Sequence, residues 1–172
     1  MARYIYGFEL YEPQGTEANF ITLSVGKDSE VFTKGDPVTV STGSTAGQLL
    51  VAGTTSCIFG IVAKTVTMAS TNTSTAKVRP SVIPTLPNYT FIGSTNSDLS
   101  STASIGVAYK LYTASTGKSM VDVASGAQTG NAAVVVCVGV DPDREGGTGD
   151  TGGARLGLWR FVKGITANNS TT

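Results

Sequence analysis

The chain has 172 residues with 12 basic against 12 acidic side chains, no histidine, and charged residues at only 14%. Without histidine no Ser-His-Asp, Cys-His or His-based metal site can form, and no cluster of Lys and Arg offers the phosphate-neutralising surface of a nucleic-acid binder. Thr (25) and Ser (17) take the place of charge, so the exterior is hydroxyl-rich and gives little self-repulsion, which suits a protein held in a dense assembly.

A chain of this length buries about 70% of its unfolded surface on folding and needs no staple. No segment approaches the roughly 18 apolar residues that span a bilayer, and "MARYIYGFEL" has no apolar h-region, so no secretory leader and no membrane partner are expected. The sequons at Asn72, Asn88, Asn168 and Asn169 then carry little weight. Cys57 and Cys137 lie in apolar runs and read as buried free thiols, with a bridge between them as the alternative.

Taken in order, the elements have period 2. "YIYGFELY" puts Tyr4, Tyr6, Phe8 and Leu10 on one face; "FITLSVG", "DPVTVST", "GQLLVAG" and "CIFGIVAKTVTM" follow, the last bending at Gly60. "AKVRPSVI", "YTFIG", "IGVAYKLYTAS", "KSMVDVAS", "AAVVVCVGVD" and "ARLGLWRFV" complete the set, and Trp159 and Phe161 read as core. No window of a dozen residues has helical apolar spacing. Turn residues every 8 to 12 positions predict an all-β fold, a compact β-barrel or β-sandwich of short antiparallel strands.

Two stretches repeat. Residues 34–65 and 105–141 both read glycine, strand, Ser/Thr turn, returning strand, glycine loop, then an apolar strand with Cys and Gly. In this alignment Gly35 answers to Gly106, Val38 and Val40 to Tyr109 and Leu111, and Gly60 to Gly139. Two related β-meanders sharing one core are expected; the alternative is that any Gly/Thr-rich β-chain self-aligns this well. The predicted organisation is an N-terminal arm with first strands (1–28), one β-domain (29–165) and a tail (166–172). Inside the domain lie a Pro-rich connector (70–104) and a long Asp/Gly loop (141–153).

Few motifs suggest chemistry. "STGK" at Ser115 to Lys118 has Ser–Lys spacing without companion motifs and reads as a hairpin turn. Asp141, Asp143 and Glu145 fall at calcium-loop positions with Asp150 nearby, but position 12 is Gly152 instead of Glu. They form a weak cation candidate, and no cofactor is expected. The length of that loop suits a partner contact through Arg144. Tyr4, Tyr6, Phe8 and Tyr11 on the arm suit strand addition to a neighbour, the alternative being a first strand of the chain's own sheet. Pro84 and Pro87 hold an extended path across a surface.

The unit "KGDPVTVSTG…GQLLVAG…CIFGIVAKT" and its second copy resemble the capsid decoration, or cement, proteins of tailed bacteriophages. The resemblance implies a non-enzymatic β-domain, made in the host cytoplasm, on the outer surface of an icosahedral capsid. There it would be a homotrimer that bridges major capsid protein subunits. The other reading is a tail, fibre or head-appendage module that binds host glycans.

Overall fold

A computed structural model of the chain describes residues 7–12, 22, 24–42, 46–54, 56–97, 99, 104–113, 119–140 and 156–162. These residues form short antiparallel strands, with one five-residue π-type turn at Asn72–Ala76 and one 3-10 turn at Gly130–Ala132. The all-β expectation therefore holds. None of the sheets closes into a barrel, which leaves packed sheets.

The first sheet runs β4 (Leu49–Val51), β3 (Pro37–Val40), β5 (Gly60–Val62), β7 (Val82–Pro84). The second has five strands in the order β1 (Phe8–Glu12), β8 (Thr90–Ser94), β13 (Leu156–Phe161), β12 (Val135–Val140), β9 (Ala108–Tyr109). Two ribbons complete the set. One pairs β10 (Leu111–Thr113) with β11 (Ser119–Val121), the other β2 (Val31–Phe32) with β6 (Val66–Thr67).

The main core lies between the two large sheets. Ile58, Ile61 and Ala52 from the first half pack with Phe8, Phe91, Tyr109, Val135, Cys137, Trp159 and Phe161 from the second sheet. Edge-to-face rings join Phe8 to Phe161 (5.1 Å), Phe161 to Phe91 (5.4 Å) and Trp159 to Tyr109 (5.9 Å), a geometry that favours aromatic pairs beyond their buried area. Trp159 also donates its indole N–H to the Gly93 carbonyl at 3.1 Å. The opposite face of the first sheet buries Val38, Leu49, Val62 and Val82 against Phe32 and Met68, which flank or belong to the β2–β6 ribbon.

The two halves share one backbone plan. The N-terminal end of β3 pairs with β5 and its C-terminal end with β4. In the second half β9 and β10, separated only by Lys110, divide the same way between β12 and β11. Val62 and Phe59 donate to the Asp36 and Val38 carbonyls (2.9 and 2.7 Å), as Cys137 and Val134 do to Val107 and Tyr109 (2.9 and 2.8 Å). Donors three residues apart thus serve acceptors two apart in both halves, an identical irregularity. Each half adds a fourth strand, β7 or β13, and one parallel bridge: Gly26 to Leu49, and Thr95 to Val121.

This geometry corrects three expectations. The halves are not meanders, because β3 sits between β4 and β5. The matching plan reaches past residues 65 and 141 to take in β7 and β13. Val62 answers to Cys137 and Gly60 to Val135, not to Gly139, because the loop before β12 is longer than its counterpart before β5.

Candidate partner-binding site

Within the expected N-terminal arm, Phe8–Glu12 form a strand of the chain's own sheet and Gly26 bridges to Leu49. Phe8 is 1% exposed and pairs with Gly93, whose missing side chain leaves room for the Phe8 ring. Alternation puts Phe8 and Leu10 on the face where Phe91 and Phe161 pack. Phe8 is thereby removed from the partner-binding set. Tyr11, at the β-bulge between Leu10 and Glu12, stays 36% exposed.

Pro84 is buried and Pro87 exposed. Ser81 accepts from Ala63, Thr85 donates to Phe59, and Ile83 pairs with Ile61, so residues 81, 83 and 85 direct their amides toward β5. The outward places are 80, 82 and 84, and two of them are prolines, which have no N–H to offer. In the sister strand β13 the equivalent places are 157, 159 and 161, two of which, Gly157 and Trp159, are paired with β8. Pro80 and Pro84 therefore end the first sheet where the second continues. The sequence reading had Pro84 as a contact residue; it closes an edge instead.

The edge at β1 is built differently. Phe8 donates its N–H to the Gly35 carbonyl at 2.8 Å, so Phe8 faces away from β8. By the alternation of an antiparallel ladder Leu10 does too. Beside it opens a cleft of about 340 Å³ between β1 and the β5–β7 pair, lined by Phe8, Leu10, Val62, Ala63 and Ile83 with Glu9 and Lys34. Glu9 and Lys34 form a 3.8 Å ion pair with side chains 33% and 63% exposed, a weak, movable contact. Gly7, at φ +79°, abuts the Gly35 backbone closely enough that a Cβ would collide with it.

Polar groups elsewhere are used structurally. Asn72 is fully buried, donates to the Gly26 and Val78 carbonyls (2.7 and 3.1 Å) and accepts from the Val78 N–H (2.8 Å), so in the folded chain its sequon is occupied by hydrogen bonding. Asp122 is buried; burial alone would raise its pKa, but the Ser125 hydroxyl, the Asn96 amide, the Ser125 N–H and Lys110 together hold it below the ordinary value. Asp36 goes the other way: burial raises it, more than the Thr33 N–H bond at 2.9 Å lowers it. Cys57 and Cys137 are both free thiols, Cys57 half-buried. Burial pushes the Cys137 thiol up, which keeps it protonated and unreactive.

Tyr4, Tyr6, Arg144, the cation candidates Asp141, Asp143, Glu145 and Asp150, and the Ser115 to Lys118 turn lie outside the described residues. Among the described residues no group of three or more His, Cys, Asp or Glu is placed to hold a metal, and no helix is long and apolar enough to cross a membrane. Of the four expected partner-contact residues that are described, Tyr11 and Pro87 lie at the surface and Phe8 and Pro84 are buried. The cleft at Leu10, Val62 and Ile83 escaped the sequence reading, since its walls come from strands more than 50 positions apart. No family model, no curated protein and no solved structure matches this chain.

Proposed function

We propose that the chain is a structural virion protein, without enzymatic activity, that binds the outer surface of an icosahedral tailed-phage capsid and stabilises it by bridging major capsid protein subunits. The observation that carries this reading is the β1 edge at Leu10, which has no further strand beside it among the described residues, next to an apolar cleft. Such an edge accepts backbone from another protein. The hydroxyl-rich, weakly charged composition and the resemblance of the repeated unit to decoration proteins support the same reading. Holding requires no chemistry. An interface of about 800 Å² per partner is ordinary, and repetition over a shell multiplies modest contacts through avidity.

A glycan-binding appendage would use aromatic side chains around polar groups; the cleft is instead mostly apolar, which favours the decoration reading. The test is to mix the purified protein with expanded, undecorated shells of the major capsid protein of the same phage. Saturable loading in a fixed ratio to capsid subunits, with a raised shell melting temperature, is expected. Shells that sediment bare overturn the proposal. Light scattering on the free protein checks the trimer that the resemblance implies.

A further inference from the structure

The two halves present the same turn, and only one of the two is covered. In the first half the turn at 33–36 carries Gly35, whose N–H goes to Val62; in the second the turn at 104–107 carries Gly106, whose N–H goes to Cys137. The closing bonds match, from the Asp36 N–H to the Thr33 carbonyl at 2.9 Å and from the Val107 N–H to the Ser104 carbonyl at 3.1 Å. β1 lies on the first turn: Phe8 donates to the Gly35 carbonyl, Gly7 abuts the Gly35 backbone, and Glu9 reaches Lys34. Gly35 and Asp36 are buried there. On the second turn no described residue donates to the Gly106 carbonyl, and nothing lies within 4 Å of where a Gly106 Cβ would be. Gly106 is exposed, Val107 half-buried, and Ile105, in the place of Lys34, is 53% exposed.

We infer that the turn at 104–107 is a docking point for an extended segment of another protein, which donates a backbone N–H to the Gly106 carbonyl and lays an apolar side chain on Ile105. The seat of β1 on the sister turn defines the fit. Backbone approaches backbone this closely where the turn has a glycine and the incoming chain has a small residue opposite it, as Gly7 stands opposite Gly35. The change from Lys34 to Ile105 defines the chemistry. An acidic side chain in the place of Glu9 would find no cation there and would lose water over Ile105, whereas an apolar one buries both surfaces. β1 of a second copy fits badly for that reason, since it brings Glu9 to this place and its Phe8 is committed to its own core. One short contact of this kind is weak alone and gains strength when joined to a second. It does not depend on the capsid reading.

The test is an NMR titration of the full, isotope-labelled chain with two short peptides. One has the sequence of this chain from Gly7 to Glu12, and the other is the same peptide with leucine in place of Glu9. The leucine peptide should shift the amides of Ile105, Gly106 and Val107 and bind about threefold or more tighter than its parent. Ile105→Lys, at an exposed turn position, should keep the wild-type melting temperature and reverse that preference, because it restores the cation that Glu9 meets in the first half. Should Ile105→Lys fail to fold, the preference of the wild-type chain reads out alone. Amides at 105–107 that stay still with both peptides, or a preference that Ile105→Lys leaves unchanged, overturn the inference. Shifts at 105–107 that grow with protein concentration and need no peptide make a second copy the occupant, and overturn the assignment to another protein. Shell loading is not read in this experiment, so its failure leaves the capsid reading to its own test.

Discussion

Gly35 and Gly106 occupy the same place in the two halves of the fold. Both adopt left-handed backbone, φ +93° and +82°, and each donates its N–H to the strand that returns beside it, Gly35 to Val62 at 2.9 Å and Gly106 to Cys137 at 2.8 Å. Around Gly106 nothing lies within 4 Å of where a Cβ would be. Gly106→Ala should thus cost only the backbone strain, about 1–2 kcal/mol. Gly7→Ala combines the same strain (φ +79°) with a collision against the Gly35 backbone and should cost clearly more. Urea denaturation of the two variants checks the order; equal losses would contradict the close approach of Gly7 to Gly35.

Phe8 reports whether β1 belongs to the core. Truncation to Ala removes a ring that is 1% exposed and stacked edge-to-face on Phe161. A loss of about 3–5 kcal/mol is expected, with the melting transition of the whole domain lowered. A variant as stable as wild type, yet defective in shell loading, would restore the aromatic-arm reading for this residue.

The prolines of β7 make a separate prediction. Pro84→Thr puts an N–H on the outward side of β7 at a position that is buried, beside Val82 at 1% exposed. The domain should stay folded, because position 84 points away from β5 and loses no ladder bond. The added donor is shut off from water, so a loss of about 1–3 kcal/mol is expected, read from urea midpoints. An unchanged midpoint for Pro84→Thr would show that this side of β7 offers the new N–H a partner.

Two buried carboxylates titrate with opposite consequences. Asp122 has its folded pKa lowered. It contributes stability that is present above the ordinary carboxylate value and lost as pH falls through the lowered one. Asp36 has its folded pKa raised, so its charged form costs stability at neutral pH, and the cost fades as pH falls through the raised value toward 3.8. Asp122→Asn should destabilise at pH 7 by about 1–3 kcal/mol and flatten the acid limb below about pH 4. Asp36→Asn should be stabilising at pH 7, with the gain shrinking toward pH 4. Urea midpoints across that range check both signs.

Much of the strand inventory was legible because burial on one face writes period 2 into the sequence. Pro37–Val40, Leu49–Val51, Val135–Val140 and Leu156–Phe161 fall inside segments chosen on alternation, and Thr90–Ser94 runs one residue past "YTFIG". The long reading "CIFGIVAKTVTM" did not survive whole: it splits into β5 and β6, which pair with different partners. Alternation describes faces and carries no information on which strand lies alongside.

Gly35 and Gly106 could be aligned from sequence since left-handed turns demand glycine. The match of Val62 with Cys137 could not, because loops of unequal length precede β5 and β12 and hydrogen bonds, not residue types, define the register. The aromatic run at Tyr4, Tyr6, Phe8 and Tyr11 had two readings that composition cannot separate. A free arm and an edge strand have the same pattern, and the presence of Gly93 and Phe161 behind Phe8 decided for the strand at Phe8–Glu12, the part of the run that is described. The cleft was equally out of reach. It exists where β1 of one sheet passes β5 and β7 of the other, and that proximity is a property of packing. By itself the sequence determined an all-β, hydroxyl-rich, histidine-free chain with a repeated glycine–strand unit. Tertiary structure decided which of the described strands lie at the sheet edges, because an edge is defined by the neighbour a strand lacks.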